Sequence, residues 1–264
     1  RPLEDRLEFA RSWSLHPEEI ASLVVPEFGG FYDPKGSDHY WGRNPFKLNS
    51  EYFGIVVILL AALFVPQIRR NRLALSMATV FLLALFYTMG PHTPLHLIVF
   101  HLVPGASVLR TPGMAAFLFA FPACVLAAMS LDRILSAAED ERANIIQKLK
   151  IVGGVLGGAT LLLGLAPKWV TDTWTMLLYT DLTEPKLGTL ATSLDWIGQG
   201  SILAALICLT VSGLLYWVLA KRSSAPVVIA ILCAITVADG WRISKRILKD
   251  EIPARQTDIR QENR

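Results

Sequence analysis

Charge is scarce in this chain, and what there is lies clustered. Asp, Glu, Lys and Arg make up 18% of its 264 residues, against about 25% in an ordinary soluble domain. Several long stretches hold no charge at all, and burying them in one water-soluble core would need more polar covering than the sequence has. Cysteine is nearly absent. Cys124, Cys208 and Cys233 each lie inside an apolar run, without CxxC spacing or charged neighbours. That argues against a disulfide framework or a thiolate metal site and leaves small membrane-buried side chains. No P-loop, GxSxG, HExxH or Rossmann fingerprint occurs. The net charge of +3, with no basic stripe interleaved with exposed aromatics, gives no footprint for nucleic acid.

Long apolar runs are what the chain has instead. Hydrophobic residues make up 53% and mean hydropathy is +0.44. A spanning helix needs about 17–25 mostly apolar residues. Six segments meet or approach that length: 52–67, 73–89, 113–131, 151–166, 197–220 and 226–239. The first is short and is extended by snorkelling of Arg69 and Arg70. Pro122 is a candidate kink in the third. The fourth carries Gly153, Gly154, Gly157 and Gly158, which suits close helix packing. No span holds a charge at its centre, which argues against an ion pump or proton relay. These features predict an all-α membrane protein with about six transmembrane helices.

Arg69, Arg70 and Arg72, then Arg133, Arg142, Lys148 and Lys150, then Lys221 and Arg222 crowd the short connections on one side. The positive-inside rule makes that side cytoplasmic. It places 1–51, 90–112 and 167–196, where Lys and Arg are sparse, outside. The basic tail 241–264 conflicts with this count, because six crossings put it outside as well. The first and sixth spans are the weakest of the set. Trp169, Trp174, Trp196 and Trp241 fall at outer span ends, where an indole prefers the headgroup layer.

In the outer segment 1–51, Leu15-His16-Pro17-Glu18-Glu19-Ile20 reads as a helix start. Pro17 suits the first turn, Glu18 and Glu19 suit the positive end of the dipole, and Leu15 with Ile20 suits a hydrophobic staple. The helix is expected to stop before Pro26 and to lie along the membrane surface. Glu18 and Glu19 make a poor catalytic pair, since adjacent helical residues diverge by about 100°. The stretch 94–104 is too short to span, so it is expected to be interfacial or re-entrant. Arg110, at the mouth of the third span, suits an anion such as phosphate or a lipid headgroup. His16 with Glu19, and His92 with His96, have metal-ligand chemistry, but Pro94 interrupts the second pair and no metal ligand is assigned. Asp239 marks either a transport path or the headgroup boundary. The chain opens at Arg1 in a charged, aromatic segment, which is expected to be the interior of a longer protein.

Several outer motifs occur in a particular order: Trp13-Ser14-Leu15-His16-Pro17-Glu18-Glu19, Val25-Pro26-Glu27-Phe28-Gly29-Gly30, Tyr40-Trp41-Gly42 and Glu51-Tyr52-Phe53-Gly54. Gly90-Pro91-His92-Thr93-Pro94-Leu95, Val103-Pro104-Gly105, Leu109-Arg110-Thr111-Pro112 and Ala238-Asp239-Gly240-Trp241-Arg242 follow. Together they resemble the YfhO-like family of bacterial membrane proteins, with Thr111 and Gly240 departing from the usual pattern. The resemblance implies part of a GT-C-like fold in the bacterial cytoplasmic membrane. Such a glycosyltransferase moves sugar from a polyprenyl-phosphate donor to a cell-envelope acceptor on the outer face. It also implies that the catalytic carboxylate lies in the first outer loop, N-terminal to this chain, so no catalytic residue is assigned here.

Transfer from such a donor needs cationic or metal help for the departing phosphate. Arg110, Arg43 and His92 are the candidates for that role, and a divalent metal remains open. Tyr40 and Trp41 are candidates to stack on a sugar face, and Glu18, Glu19 and Glu51 to bond sugar hydroxyls. Two other functions compete. A lipid or polysaccharide transporter predicts polar groups lining a path through the helices, chiefly Ser76, Thr79, Thr160, Ser201, Thr210 and Ser212. A non-catalytic membrane scaffold predicts no pocket at the outer face.

Overall fold

The computed structural model describes residues 3–30, 39–44, 50–108, 111–221 and 225–262, and among them no strand occurs. Helix α1 (Leu3–Arg11) opens with Glu4 and Asp5 and closes with Arg11, the charge order that the helix dipole favours. A 3-10 segment, Pro17–Leu23, follows. Helix α2 (Ile55–Phe64) continues into a second 3-10 segment, Val65–Arg70. Helix α3 (Arg72–Thr88) is capped by Asn71, whose Oδ1 accepts from Ala74 N at 3.1 Å. Then come α4 (Pro94–Leu102) and α5 (Phe117–Leu135), the latter preceded by a 3-10 turn at Pro112–Ala116. Helices α6 (Glu139–Leu165), α7 (Pro167–Leu178), α8 (Glu184–Lys221) and α9 (Ala225–Glu262) complete the chain.

Four stretches among the described residues are long and apolar enough to cross a membrane: Pro112–Leu135, Glu139–Leu165, Glu184–Ala220 and Pro226–Lys245. Helix α3 is apolar but has 17 residues. Helix α2 has ten, about 15 Å of α-helix, and buries Ile55, Val56, Leu59, Leu60 and Leu63 where α5, α6 and α8 meet it. The outward faces of the long helices are apolar. Phe121 in α5 and Val155 in α6 are 66% and 67% exposed, and Leu206 and Val237 continue this surface on α8 and α9. Water tolerates no such continuous patch, whereas hydrocarbon does. The hydroxyls of Thr160 and Ser201 are satisfied within their own helices. Thr160 Oγ1 donates to Leu156 O at 2.9 Å, and Ser201 Oγ to Ile197 O at 2.6 Å. Ser76 and Thr79 do the same on α3, donating to Arg72 O and Leu75 O.

The most extensive pairing joins α6 to α8. Small residues set its closeness. A Cβ on Gly164 would stand 2.6 Å from Ile202 Cγ1 and 3.1 Å from Ile202 N, and one on Gly157 would stand 3.0 Å from Leu209 Cδ2. Gly153 abuts Ser212, while Gly154 and Gly158 have nothing within 4 Å among the described residues. Of the four glycines read from the sequence, Gly153 and Gly157 make the packing face and Gly154 and Gly158 look outward.

The helices outrun the apolar runs that betray them. Helix α6 begins at Glu139 rather than near 151, α8 begins at Glu184 rather than near 197, and α9 continues through the basic segment 241–262. Hydropathy marks where a helix enters lipid; charged residues such as Glu, Lys and Arg propagate helix outside it. The surface helix expected after Leu15 is a 3-10 segment whose Glu18 and Glu19 are buried, so those carboxylates serve tertiary contacts rather than an exposed helix dipole. Pro122 sits inside α5, where it removes one backbone hydrogen bond.

Replacing Gly164 by Leu forces Ile202 and its backbone aside and should lower stability by about 1–3 kcal/mol. The same change at Gly158 should be neutral. Unfolding of both variants in mixed detergent micelles measures this difference, and equal effects would remove the glycine face from the account.

Candidate functional site

The motifs that stand far apart in sequence converge at one end of the bundle. The backbone of residues 13–15 passes between the end of α3 and the start of α5. Leu15 N donates to Thr88 O at 2.8 Å, and Gly113 N donates to Trp13 O at 3.2 Å. A side chain on Gly90 would strike Ser14 Oγ, and one on Gly113 would lie 2.6 Å from Trp13 O. The glycines are there because this strand-like segment passes so close. Trp13 (φ 62°) and Thr111 (φ 65°) both adopt left-handed backbone, uncommon for such residues.

Upon this crossing sits a cap of buried polar side chains. Glu18, fully buried, accepts from Arg43 Nε at 2.9 Å through Oε1, and its Oε2 has no donor among the described residues. Arg43 Nη1 and Nη2 reach the two oxygens of Asp181 at 3.2 and 3.1 Å, and its guanidinium lies 4.2 Å from the centre of the Tyr179 ring. Planar bidentate pairing and ring stacking are what a guanidinium does well and an ammonium does not. Burial raises the Glu18 carboxyl above its ordinary 4.5, against the downward pull of its own backbone hydrogen bond and of Arg43. Trp174 Nε1 donates to Glu18 O at 2.9 Å and so ties α7 to the same turn.

The other residues singled out from sequence fall around this pair. Glu19 hydrogen-bonds the hydroxyl of Tyr40, and its Oε2 accepts from His16 N at 3.4 Å. Glu18 and Glu19 thus diverge to separate partners. Tyr40 is fully buried, with Lys186 Nζ 4.8 Å from its ring centre and 2.9 Å from its carbonyl oxygen. Trp41 is also fully buried; its Nε1 donates to Phe28 O at 2.6 Å and its ring stacks on Tyr179 at 6.3 Å. Both rings therefore pack against protein. His92 Nε2 lies 2.8 Å from His16 Nδ1, so one of the two nitrogens carries a proton and the other accepts it. Burial and the nearby Arg43 charge hold His92 below its usual 6.5. Glu51 is buried at the approach to α2. Arg110 lies outside the described residues. Among the described residues no group of three or more His, Cys, Asp or Glu could hold a metal ion.

A second cluster escaped the sequence reading. Arg242 of α9 pairs with Glu27 and, at 3.4 Å, with Asp239 one turn back, and Asp239 accepts from the Tyr52 hydroxyl. Tyr52 Oη in turn accepts from Ile55 N at 2.9 Å, at the first turn of α2. A side chain on Gly200 of α8 would strike the Glu27 carboxylate. Asp239 is therefore no mere boundary residue; its carboxylate is buried in a network linking the cap, α2 and α9. Glu27 and Arg242 both lie in motifs quoted above, so position was visible but partnership was not. Asp181 and Tyr179, which complete the Arg43 site, carried no signal: they lie in a short turn between helices. Trp174, expected in a headgroup belt, is instead bonded into the cap, while Trp169 and Trp241 remain exposed.

Comparison with protein-family models, curated proteins and solved structures finds no match to this chain.

Arg43→Ala strands Glu18 as a buried unpaired charge and should cost about 3 kcal/mol, the low end for breaking a buried pair because Arg43 is partly exposed. Glu18→Gln tests the direction of the Glu18 shift. A carboxyl whose folded pKa is raised binds protons more tightly folded than unfolded, so it loses stability as pH rises from 4.5 through the raised value. E18Q lacks that loss. Its stability relative to wild type should therefore climb with pH over this window, as read by unfolding in detergent at several pH values. A relative fall would mean that Arg43, not burial, dominates Glu18.

Proposed function

We propose that this chain is the cap-bearing part of the membrane region of a GT-C-like glycosyltransferase of the YfhO-like kind. It would transfer sugar from a polyprenyl-phosphate donor to a cell-envelope acceptor at the outer face of the bacterial cytoplasmic membrane. The observation that carries this reading is the convergence of the ordered motifs. Residues 13–19, 25–30, 40–42, 52, 90–92, 112–113 and 239–242 meet at one end of the bundle around buried Glu18 and Glu27 and their partly exposed partners Arg43 and Arg242. Carboxylates and guanidinium groups at a membrane surface suit a substrate with hydroxyls and a phosphate.

In this reading α2 and α3 add two crossings to the four long helices. Helix α2 supplies about 15 Å and its 3-10 continuation about 12 Å, together near the roughly 30 Å hydrocarbon core. The basic connections would then be cytoplasmic and the cap external. A scaffold role is the second reading. It is favoured by the complete burial of Tyr40 and Trp41 and by the engagement of Arg43 with protein acceptors. A transporter gains less support, because Ser76, Thr79, Thr160 and Ser201 of its path bond their own helices, although Ser212 Oγ is buried with no partner among the described residues.

Membranes holding the protein at its natural length, given labelled polyprenyl-phosphate sugar, should pass label to an envelope acceptor. Arg110→Ala should slow that transfer by about a hundredfold or more at unchanged protein level, as loss of a charge-stabilising donor does. No transfer by wild type favours the scaffold, and undiminished transfer by R110A discards the phosphate role of Arg110.

A further inference from the structure

The opposite end of the bundle carries a cleft that the proposed transfer does not use. It is a small cleft that opens where α2, α5 and α6 leave the apolar layer. Its polar wall is Gln67, Ser130, Arg133 and Lys148, and its apolar floor includes Leu63 and Phe64. The positions are at one level in each helix. Gln67 follows the apolar run of α2, Ser130 and Arg133 close that of α5, and Lys148 precedes the run of α6 that begins at Ile151. A ligand here has headgroup depth at its polar end and acyl-chain depth at its apolar end.

The side chains are arranged to take an anion. Among the described residues Arg133 spends only Nη2 on a partner, Glu141 Oε1 at 3.0 Å, and its buried Nε has no acceptor. An unanswered buried donor is costly unless a ligand or water meets it. With the Gln67 amide oriented by its hydrogen bonds, Nε2 donates to Phe64 O at 3.1 Å and Oε1 accepts from Lys148 Nζ at 3.2 Å. That bond holds Lys148 over the cleft and leaves its other two N–H donors free for a ligand. Arg142, next to Glu141, donates instead to the carbonyls of Ala137 and Leu219, which fixes the start of α6 against the end of α8. Arg69, Arg70 and Arg72 border the same end and raise its positive potential.

We infer that this cleft is a binding site for the phosphate group of an anionic phospholipid, with Arg133 and Lys148 as the cationic donors, Gln67 as the positioning amide and Leu63 and Phe64 against the first carbons of an acyl chain. A basic pocket between helices at headgroup depth is the chemistry that holds such lipids. Free phosphate shares the anion and lacks the chains, so the two sources separate by experiment.

The test uses the purified chain in neutral detergent, with phosphatidylglycerol, phosphatidylcholine or inorganic phosphate added, read by thermal unfolding and by lipid retained on the intact protein in mass spectrometry. Phosphatidylglycerol should raise the melting temperature and be retained over phosphatidylcholine. Arg133→Gln with Lys148→Gln should cut retention at least fivefold. The pair Arg133→Lys and Lys148→Arg should keep most of it, which separates charge from folding. Lys168→Gln, at the other end, should leave retention unchanged. Stabilisation by inorganic phosphate alone would assign the site to the free anion and still place it between Arg133 and Lys148. Equal retention of both lipids with no effect of phosphate, or undiminished phosphatidylglycerol retention in the double glutamine variant, overturns the site.

Discussion

Hydrocarbon offers no hydrogen bonds, so every backbone polar group of a spanning segment must be satisfied within that segment, and every unpaired polar side chain is driven to its ends. This constraint orders the whole chain. The long helices present Phe121, Val155, Leu206 and Val237 outward, and the hydroxyls of Thr160 and Ser201 turn back onto their own carbonyls. Helix-to-helix contact then cannot be driven by exclusion of water. It rests on close approach, which Gly157 and Gly164 permit against Leu209 and Ile202. Charge collects at the two ends, and the ends differ. One carries carboxylates and guanidinium groups locked together; the other carries cations with donors left over.

Ion pairs hold the cap to the bundle across long spans of sequence. Arg43 joins Glu18 to Asp181, and Arg242 joins Glu27 to Asp239. Buried pairs are poor sources of net stability, because desolvation offsets most of the attraction. Losing one partner is nevertheless expensive, so such pairs penalise wrong arrangements more than they reward the right one. In a bundle whose apolar faces are chemically alike, that penalty is a means of fixing which helix end receives which part of the cap.

Much of the helical body was legible in the sequence. The runs 73–89, 113–131, 151–166, 197–220 and 226–239 each lie on a helix, and the short stretch 94–104 contains α4. Apolar length is a one-dimensional property, and one sequence suffices to read it. Helix α7 and the leading parts of α6 and α8 were not legible, since polar helices have no run to show. The cap was half legible. Glu18, Arg43 and His92 were named as residues, but Asp181 and Arg242 owe their roles to partners 138 and 215 positions away. Spacing along the chain carries no trace of such pairings. The Gly and Pro motifs at 90–91 and 112–113 did carry one, because close backbone crossings demand particular residues at particular positions.

The claim beneath all of this is that lipid, not water, covers the outward faces. The native thiols test it directly. Cys124 in α5 and Cys233 in α9 are exposed on the protein surface, while Cys208 is buried. With the chain in lipid nanodiscs, where both faces meet water, a charged maleimide should leave Cys124 and Cys233 unlabelled and should label all three cysteines after denaturation in SDS. Labelling of either exposed cysteine in the intact nanodisc, at the rate of a thiol free in water, would contradict the account.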